Sequence, residues 1–575
     1  MRRRLVVVLA CALLTACSSG QNGGEPAERA ALTSVPPAPP PSFVPTQELA
    51  PNKGPNILVV TTDDMRWDEL RYTPNVRKYV TSRGLLFRNS FAPNPLCCPS
   101  RASFLLGQYS HNHRVYSHEV PYGFAAFDDH LTVGTALNQA GYQTALVGKY
   151  LNGYGKQQSK VTGGPSATYV PDGWTDWMVS IEKRWPVGSP YRGGTYNYQS
   201  FTQNVNGKVV GNRGTYSSVV VGDEVQSLIG KYDGTGHPWF IWATPVAPHL
   251  GGPAEPDDPR PYRTDVGTLS RFDTPARPDW VKGKFDDVIT RAPGVRPGGK
   301  PVEQDVSDKP EFIQKLPELV GAERRSLVEV ERQRAEALFA WDRQFGRIMQ
   351  KLKDTGQYDD TVIVFTSDNG YFMGEHRQRS GKIKPHEPSL RVPFVMAGKG
   401  IPHGERFDPV TTPGVTATIA ELAGATSRMP YPEDGVSVAP SFKADRGWSV
   451  PVVTEGMESG SIFPVLPAAK ASGFHDARNT IGVRTPRYKY VRYSDGDAEM
   501  YDLDRDPNEM HSVIDDPGYA AVRDELFRLW QGYKDCLGRT CRAPMPANLQ
   551  RAPGQDEVGT NTQSRGVQHR YGYWR

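Results

Sequence analysis

The sequence predicts an α/β protein with a mainly parallel sheet flanked by helices, followed by a smaller C-terminal subdomain of antiparallel strands and a helix. Apolar runs of strand length, helical patterns between them and a change to alternating patterns after about residue 430 support this prediction. The chain has 575 residues, of which 38% are hydrophobic, so it can bury a large core. We therefore expect a main domain at residues 55–430 and a C-terminal subdomain at residues 431–575.

Four apolar runs predict buried strands, and polar residues follow each of them. The runs are residues 56–61, 144–147, 239–243 and 361–365. The polar residues are Asp63 and Asp64 after the first run, Lys149 after the second, His249 after the third, and Asp368 and Asn369 after the fourth. Because the carboxyl ends of parallel strands share one edge of a sheet, we expect these side chains to meet at one site.

Helical and hairpin patterns account for the rest of the predicted fold. Apolar residues recur at steps of three and four through residues 326–353, which predicts a long amphipathic helix before the fourth strand. Alternation over residues 486–493, a turn, and then residues 499–503 predict an antiparallel hairpin. Residues 520–533 carry one apolar face and predict the helix of the C-terminal subdomain.

The first 17 residues have the features of an export signal. Three arginines at residues 2–4 precede an apolar run too short to span a bilayer, and small residues precede Cys17. This pattern predicts a bacterial lipoprotein signal peptide at residues 1–17, with a lipid anchor on Cys17 that holds the exported protein at the cell surface. An ordinary cleaved signal peptide and a twin-arginine signal remain alternatives. The proline-rich composition of residues 18–54 predicts a disordered linker.

Charge and cysteine content narrow the possible functions. Lys and Arg number 67 against 63 Asp and Glu, and the sequence has no basic run with interleaved aromatic residues, so we expect no nucleic-acid partner. Cys536 and Cys541 close a short loop, and in an exported protein we expect them to form a disulfide. Cys97 and Cys98 are adjacent, where a bridge between them would be strained.

Asp63, Asp64, Asp368 and Asn369 offer only oxygen ligands. Oxygen donors favour a hard divalent cation and argue against Zn²⁺. Two of these residues follow the first strand and two follow the fourth, so a parallel sheet can bring them together. We expect one bound divalent cation, with Ca²⁺ favoured over Mg²⁺. A solvated turn is the alternative for each acidic segment taken alone.

Residues 97–107, Cys-Cys-Pro-Ser-Arg-Ala-Ser-Phe-Leu-Leu-Gly, resemble the signature of the sulfatase family. Residues 61–64 and 366–370 are similar to the metal-binding segments of that family. The resemblance runs from about residue 55 to residue 512 and implies the alkaline-phosphatase-like fold. It also implies that a formylglycine-generating enzyme converts Cys97 to formylglycine and that this residue belongs to the metal site. Two buried structural cysteines before a helix are the alternative.

The resemblance assigns roles to further residues. Arg101 matches the arginine that holds the formylglycine hydroxyl or a metal ligand, and Lys149 matches a sulfate-binding lysine. Lys382 matches a second sulfate-binding lysine, with Lys384 as a close competitor. His249 matches a histidine at the sulfate ester, where we expect it to protonate the leaving alcohol. These residues and the formylglycine are the predicted catalytic groups.

The chain departs from many sulfatases at Leu151, where they have a histidine that is the usual base of the second step. Residues 148–155 and 107–113 instead resemble the N-acetylglucosamine-6-sulfatase branch. That resemblance implies a sulfated sugar as the substrate and leaves the base of the second step unassigned. His111 and His113 are expected either to line the pocket or to pack its loop.

The expected activity is hydrolysis of a sulfate monoester by covalent catalysis. The hydrate of an aldehyde carries two hydroxyls on one carbon, so that one can attack sulfur and the other can expel sulfate. An aryl sulfatase and a phosphonate or phosphodiester hydrolase of the same superfamily are the alternative enzymes. A carbohydrate-binding lipoprotein without catalysis is the alternative from another class. We expect residues 159–235 and 251–320 to shape the substrate pocket.

Overall fold

The structure is a computed structural model that describes residues 49–571 apart from residues 184, 186–188, 190, 265–266, 296–302 and 459–472. The predicted signal peptide, Cys17 and most of the predicted linker lie outside the described residues. The lipid anchor therefore stays a prediction. Within the described ranges, no helix combines the length and the apolar character that a membrane span requires.

The described residues contain sixteen strands and eleven α-helices, together with short 3-10 turns and one π-turn. The strands are β1 Asn56–Thr62, β2 Leu85–Phe91, β3 Gln143–Gly148, β4 Asp176–Ser180, β5 Ser200–Val205, β6 Lys208–Arg213, β7 Trp239–Thr244, β8 Tyr262–Arg263, β9 Leu269–Ser270, β10 Thr361–Ser367, β11 Phe394–Gly398, β12 Gly404–Thr411, β13 Val452–Gly456, β14 Thr480–Arg484, β15 Tyr488–Tyr493 and β16 Ala498–Asp502. The helices are α1 Pro74–Val76, α2 Cys97–Leu106, α3 Ser110–His113, α4 Val133–Gln139, α5 Ser217–Tyr232, α6 Glu311–Gln314, α7 Gly321–Asp354, α8 Glu387–Leu390, α9 Thr412–Leu422, α10 Ala520–Tyr533 and α11 Gln555–Tyr571.

The main sheet has ten strands in the order β12-β2-β11-β10-β1-β7-β3-β4-β5-β6. Its centre is parallel, because β1 pairs with β10 and β7, and β3 pairs with β7 and β4, all in parallel register. On one side β11 runs antiparallel to β10 and β2, and on the other side β5 and β6 continue as antiparallel strands. The prediction of an α/β fold with a mainly parallel sheet is confirmed.

Apolar side chains cover both faces of the sheet, as the continuous apolar run in β1 requires. Leu58 and Val60 pack on one face with the apolar side of α7, and Ile57 and Val59 pack on the other face with α2 and α9. All four side chains are fully buried. With both faces covered, polar side chains can gather only beyond the ends of the strands.

The long helix α7 begins earlier than its apolar pattern indicates. It covers Gly321–Asp354, whereas the steps of three and four residues predict residues 326–353. The first turn contains Glu323, Arg324 and Arg325 and lacks the apolar stripe, so the periodicity does not include it. Glu323 stabilises this turn by accepting a hydrogen bond from the backbone N–H of Val320 at 2.7 Å.

The C-terminal part contains a second sheet of four antiparallel strands in the order β13-β14-β15-β16. The predicted hairpin corresponds to β15 and β16, and the predicted helix at residues 520–533 is α10. The indole N–H of Trp530 on α10 donates to the carbonyl of Ile481 on β14 at 3.0 Å, which ties the helix to the sheet. Cys536 and Cys541 form the predicted disulfide. The predicted subdomain architecture is confirmed, while its boundary at residue 430 stays a prediction.

Candidate active site

Two neighbouring strands deliver the four oxygen-bearing side chains of the predicted cation site. β1 and β10 are parallel and end in register, with Thr62 opposite Ser367. The next two residues of both strands therefore lie at the same edge of the sheet. They are Asp63 and Asp64 after β1, and Asp368 and Asn369 after β10.

Hydrogen bonds join these two pairs of residues. The backbone N–H of Asp64 donates to Oδ1 of Asp368 at 3.1 Å, and Nδ2 of Asn369 donates to Oδ1 of Asp64 at 2.7 Å. Asp64 has a φ of 68°, a left-handed conformation that is uncommon for a residue other than glycine. Arg334 donates to the carbonyl of Asp64 at 2.6 Å and so holds this turn in place. The backbone N–H of Asp64 and the side chains of Asn369 and Arg334 thus position this pair of segments.

Cys97 begins α2, and its sulfur faces the two aspartates. Sγ lies 3.2 Å from Oδ1 of Asp63 and 3.7 Å from Oδ1 of Asp64. Burial raises the pKa of the Cys97 thiol well above its usual value, and the charge of Asp63 raises it further. The thiol is therefore neutral at pH 7 and is a weak nucleophile as it stands. Cys98 instead contacts the carbonyl of Asn152 at 3.7 Å and packs in the apolar core.

Three cationic side chains surround the carboxylates. Nζ of Lys149 donates to Oδ2 of Asp63 at 2.7 Å. Nζ of Lys382 donates to Oδ1 of Asp64 and lies 3.0 Å from the Cys97 sulfur. The third is Arg101, whose Nε donates to Oδ2 of Asp368 at 2.8 Å. Each predicted cation ligand except Asn369 therefore has a positive partner, which is what buried charges need to remain ionised.

The cationic partners change the acidity of the buried carboxyl groups to different extents. Burial alone would raise the pKa of Asp63, but the charge of Lys149 holds it well below its usual value. Burial raises the pKa of Asp368 to about 6, the charge of Asp63 raises it too, and Arg101 opposes the shift. Asp63 is therefore a carboxylate at pH 7, and Asp368 is the candidate ligand that acid protonates first.

His249 lies beside the carboxylates with a defined orientation. Its Nδ1 is 2.7 Å from the carbonyl of Leu250, and its Nε2 is 3.5 Å from Oδ2 of Asp64. Burial lowers the pKa of His249 to about 4 although the nearby aspartates raise it, so the imidazole is neutral at pH 7. Because a carbonyl can only accept, Nδ1 carries the proton and Nε2 is an acceptor. Nε2 has to gain a proton before it can donate one to a leaving group.

The residues at this edge of the sheet fit a hard cation. Ligand atoms of Asp63, Asp64, Cys97 and His249 all lie within 4.8 Å of one another. Oδ2 of Asp64 and Oδ1 of Asn369 are buried oxygens without a hydrogen-bond partner among the described residues. Buried acceptors of this kind need a partner, and a hard cation supplies one. The structure thus brings together all nine predicted site residues, with Arg101, Lys149 and Lys382 around the ligand set.

A cavity of about 260 Å³ opens beside His249 and Lys382. Asn152, Glu182 and Tyr196 also line it, and the sequence analysis did not identify any of the three as a site residue. Glu182 and Tyr196 fall within residues 159–235, which were expected to shape the pocket. A lone glutamate or tyrosine outside a motif gives no local signal. A larger cavity of about 420 Å³ elsewhere contains none of the predicted site residues, so the chemistry and not the volume identifies the site.

His111 and His113 pack the loop that follows α2. Nδ1 of His111 is 2.6 Å from Oε1 of Glu455, and Nε2 of His113 is 2.9 Å from the Ser103 hydroxyl. Neither histidine lines the cavity, so the loop-packing alternative describes both. Lys384, the competitor of Lys382, pairs with Glu458 and not with the aspartates of the cluster.

The fold and the site define a class of protein: a hydrolase with the alkaline-phosphatase-like fold, whose candidate cation ligands follow two parallel strands and contact lysine and arginine side chains. The family model described as Sulfatase matches residues 55–425, and the model described as N-sulphoglucosamine sulphohydrolase, C-terminal, matches residues 469–534. Since the first match spans more than half of the chain, the chain belongs to the sulfatase family and is a sulfuric ester hydrolase. The predicted resemblance is confirmed.

Known proteins with sulfatase names are similar to most of the chain. An arylsulfatase of Volvox carteri is 27% identical over 522 residues, which cover 86% of this chain and 77% of the relative. The N-acetylglucosamine-6-sulfatase of Homo sapiens is 27% identical over 531 residues, which cover 86% of this chain and 87% of the relative. The two relatives carry different substrate names at equal identity, so the substrate does not follow from them.

Solved structures agree on the fold. A protein in complex with its substrate D-glucosamine-2-N,6-O-disulfate superposes with a TM-score of 0.59 at 20% identity, covering 85% of this chain and 98% of its own. A phosphonate monoester hydrolase from Silicibacter pomeroyi superposes with a TM-score of 0.57 at 21% identity, covering 87% of this chain and 99% of its own. Both comparisons support the same architecture over nearly the whole length of the neighbours.

Proposed function

We propose that the chain hydrolyses sulfate monoesters of sugars, such as N-acetylglucosamine 6-sulfate, with a nucleophile derived from Cys97 by conversion to formylglycine. The observation that carries this proposal is the position of the Cys97 sulfur, 3.2 Å from Asp63 and 3.0 Å from Lys382. The neutral, buried thiol would be a poor nucleophile in its unmodified form, which favours conversion by a formylglycine-generating enzyme.

Asp63, Asp64, Asp368 and Asn369 would hold one divalent cation together with position 97. Several protein oxygen ligands favour Ca²⁺ over Mg²⁺, because Mg²⁺ usually keeps several waters and binds only one or two carboxylates. When bound, the cation would lower the pKa of the attacking hydroxyl and bind a sulfate oxygen. The two buried oxygens without hydrogen-bond partners, on Asp64 and Asn369, support this assignment.

The cationic side chains would hold the sulfate group. Lys149 and Lys382 contact the carboxylates on either side of position 97, and each keeps ammonium protons beyond those contacts. Arg101 donates to Asp368 and to the carbonyl of Lys149 at 2.7 Å, so it orients a ligand and a lysine at once. His249 would act at the leaving oxygen once its Nε2 has taken up a proton.

Two other activities of the same superfamily remain candidates. The arylsulfatase relatives favour aryl sulfates, and the phosphonate monoester hydrolase has the same fold. Sulfate monoesters and phosphodiesters both carry one negative charge, so the same cationic residues can hold either. Turnover of N-acetylglucosamine 6-sulfate, 4-nitrophenyl sulfate and a phosphodiester by one preparation ranks the three activities. We also propose, from residues 1–17 alone, that the protein is exported and anchored through Cys17.

Peptide mass spectrometry across residue 97, paired with two cysteine variants, tests the nucleophile. Protein produced with a formylglycine-generating enzyme should show the aldehyde at position 97, and Cys97→Ala should lose turnover. Cys98→Ala is the matched control, because this neighbouring buried cysteine contacts a carbonyl and not the aspartates. An unmodified thiol at residue 97 in fully active protein would overturn the proposed nucleophile.

A further inference from the structure

A hydrogen-bonded pair, Asn152 and Glu182, lines the same cavity as Lys382 and His249. Nδ2 of Asn152 donates to Oε1 of Glu182 at 3.1 Å, and the backbone N–H of Gly153 donates to Oε2 of Glu182 at 2.8 Å. Oδ1 of Asn152 is buried and has no hydrogen-bond partner among the described residues. The pair therefore presents hydrogen-bond acceptors: the second lone pairs of a carboxylate and an amide oxygen.

Tyr196 connects this pair to the catalytic cluster. Its hydroxyl accepts a hydrogen bond from Nδ2 of Asn152, and its ring stacks on His249 with 4.3 Å between the ring centroids. Nζ of Lys149 lies 4.9 Å from the centre of the same ring. The acceptor pair is thus fixed relative to the histidine that we place at the leaving oxygen.

Charged side chains of both signs line the cavity. Lys382, which contacts Asp64 and the Cys97 sulfur, and Lys156 are positive, whereas Glu182 and Glu119 are negative. A ligand with its sulfate beside Lys382 could direct its leaving group toward the carboxylate of Glu182 and the amide oxygen of Asn152, which line the same cavity. These two oxygens favour hydroxyl and N–H donors, because a carboxylate and an amide oxygen can only accept hydrogen bonds.

We propose that Glu182 and Asn152 are specificity-determining residues that accept hydrogen bonds from hydroxyl or N–H groups of the sugar ring whose sulfate is cleaved. This inference rests on the proposed sulfate-ester activity and adds the direction of the substrate in the cavity. It predicts that the enzyme prefers sugars with free hydroxyl or amide N–H donors next to the cleaved ester. Phenol leaving groups, and rings that carry a second sulfate in place of these donors, gain no binding energy from Glu182 and Asn152.

Binding and turnover of the Glu182→Gln variant test the inference. In the Cys97→Ala background, which cannot turn over, calorimetry measures the Kd of N-acetylglucosamine 6-sulfate and of inorganic sulfate in the presence of Ca²⁺. Glu182→Gln should raise the Kd of N-acetylglucosamine 6-sulfate by about tenfold, because a charge-assisted hydrogen bond becomes a neutral one. It should leave the Kd of inorganic sulfate within about twofold, since sulfate has no hydroxyl or N–H group that could donate to Glu182.

Active protein gives a second readout. Glu182→Gln should lower kcat/KM for N-acetylglucosamine 6-sulfate through KM, and by a larger factor than it lowers kcat/KM for 4-nitrophenyl sulfate, which lacks the donors that the pair accepts. Asn152→Ala should act in the same direction as Glu182→Gln. Glu224→Gln is the matched control, because Glu224 is also partly buried and also accepts an amide hydrogen bond, from Gln203 at 3.0 Å, but does not line the cavity.

The outcomes separate this inference from the activity on which it rests. If the Cys97→Ala protein binds neither inorganic sulfate nor the sugar sulfate, and converted protein cleaves no sulfate ester, the proposed function fails. Suppose that both ligands bind but Glu182→Gln raises both Kd values by the same factor, or that Glu224→Gln raises the Kd of the sugar sulfate as much as Glu182→Gln does. The role of Glu182 and Asn152 is then overturned, while the proposed function stands. A selective loss for the sugar sulfate supports the inference.

Discussion

The ammonium of Lys382 lies 3.0 Å from the sulfur of Cys97, although 285 positions separate the two residues in the sequence. The same ammonium donates to Asp64, a candidate cation ligand. Burial alone would raise the pKa of Asp64, but the charge of Lys382 lowers it, so this lysine keeps the ligand ionised. A positive charge at this point also repels any cation that the carboxylates bind. Lys382 is therefore expected to favour the anionic substrate at a cost in cation affinity.

Substitution of Lys382 should separate these two effects. Lys382→Ala should lower kcat on a sulfate ester by about 10²-fold or more, because a fixed charge at the developing negative charge is lost. The same variant should bind Ca²⁺ more tightly than the unsubstituted protein, which calorimetry on unconverted protein measures without any turnover. Lys384→Ala is the control, since Lys384 pairs with Glu458 and should change neither quantity. Weaker Ca²⁺ binding by Lys382→Ala would contradict the repulsion argument.

The guanidinium of Arg101 should matter for folding as well as for the site. Its side chain is fully buried with Asp368, whose carboxylate it contacts at 2.8 Å. Removing one partner of a buried ion pair leaves an unpaired charge, so Arg101→Ala should lower the free energy of unfolding by about 3–5 kcal/mol. Calorimetric melting of the variant checks this. Arg114→Ala removes an arginine that is 65% exposed and 3.7 Å from Asp476, and should cost about 0–1 kcal/mol.

Equal losses in the free energy of unfolding for the two arginine variants would show that the Arg101–Asp368 pair contributes no more than a surface contact. The Arg101→Ala variant should also change the pKa of Asp368, a candidate cation ligand. Arg101 opposes the shift that brings the pKa of Asp368 to about 6, so its removal should make Asp368 easier to protonate.

Local patterns predicted the centre of the sheet and the polar residues that meet at its edge. The apolar run at residues 56–61 corresponds to β1, and the run at residues 361–365 corresponds to β10, because strands buried on both faces lack polar interruptions. Polar residues directly after such runs can be assigned to the strand ends. The sequence pattern did not predict β2 and β12. Arg88 and Asn89 interrupt the apolar run of β2, and Glu405 and Arg406 interrupt that of β12.

Contacts that join distant segments could not be predicted in this way. The sequence left His111 undecided between lining the pocket and packing a loop, and the decision depends on Glu455, 344 positions away. Glu182 lies just beyond the short strand β4 and contacts Asn152, 30 positions earlier in the sequence. Both pairings are fixed by tertiary packing, for which single residues carry no periodic signal.

Glu455 joins the loop after α2 to the C-terminal sheet. Its carboxylate lies 2.6 Å from Nδ1 of His111 and 2.7 Å from a guanidinium nitrogen of Arg478, and all three side chains are buried. Burial alone would raise the pKa of Glu455, but the charges of His111 and Arg478 lower it to about 2. Because the pKa is lower in the folded chain than in the unfolded chain, the ionised carboxylate stabilises the fold above about pH 4.5. This stabilisation is lost as the pH falls from about 4.5 toward 2.

The Glu455→Gln variant should therefore be less stable than the unsubstituted protein by about 3 kcal/mol at pH 6, because glutamine resembles the protonated acid. The difference should shrink steadily as the pH falls below about 4.5, since the unsubstituted protein then loses the same charge. Urea unfolding at a series of pH values between 6 and 3 measures this difference in the free energy of unfolding. The series begins at pH 6 so that His111 is still protonated. Glu525→Gln, on the exposed side of α10, should change stability by less than about 0.5 kcal/mol at every pH. A Glu455→Gln deficit that stays constant down to pH 3 would mean that lost packing, and not the charge of Glu455, couples the loop to the C-terminal sheet.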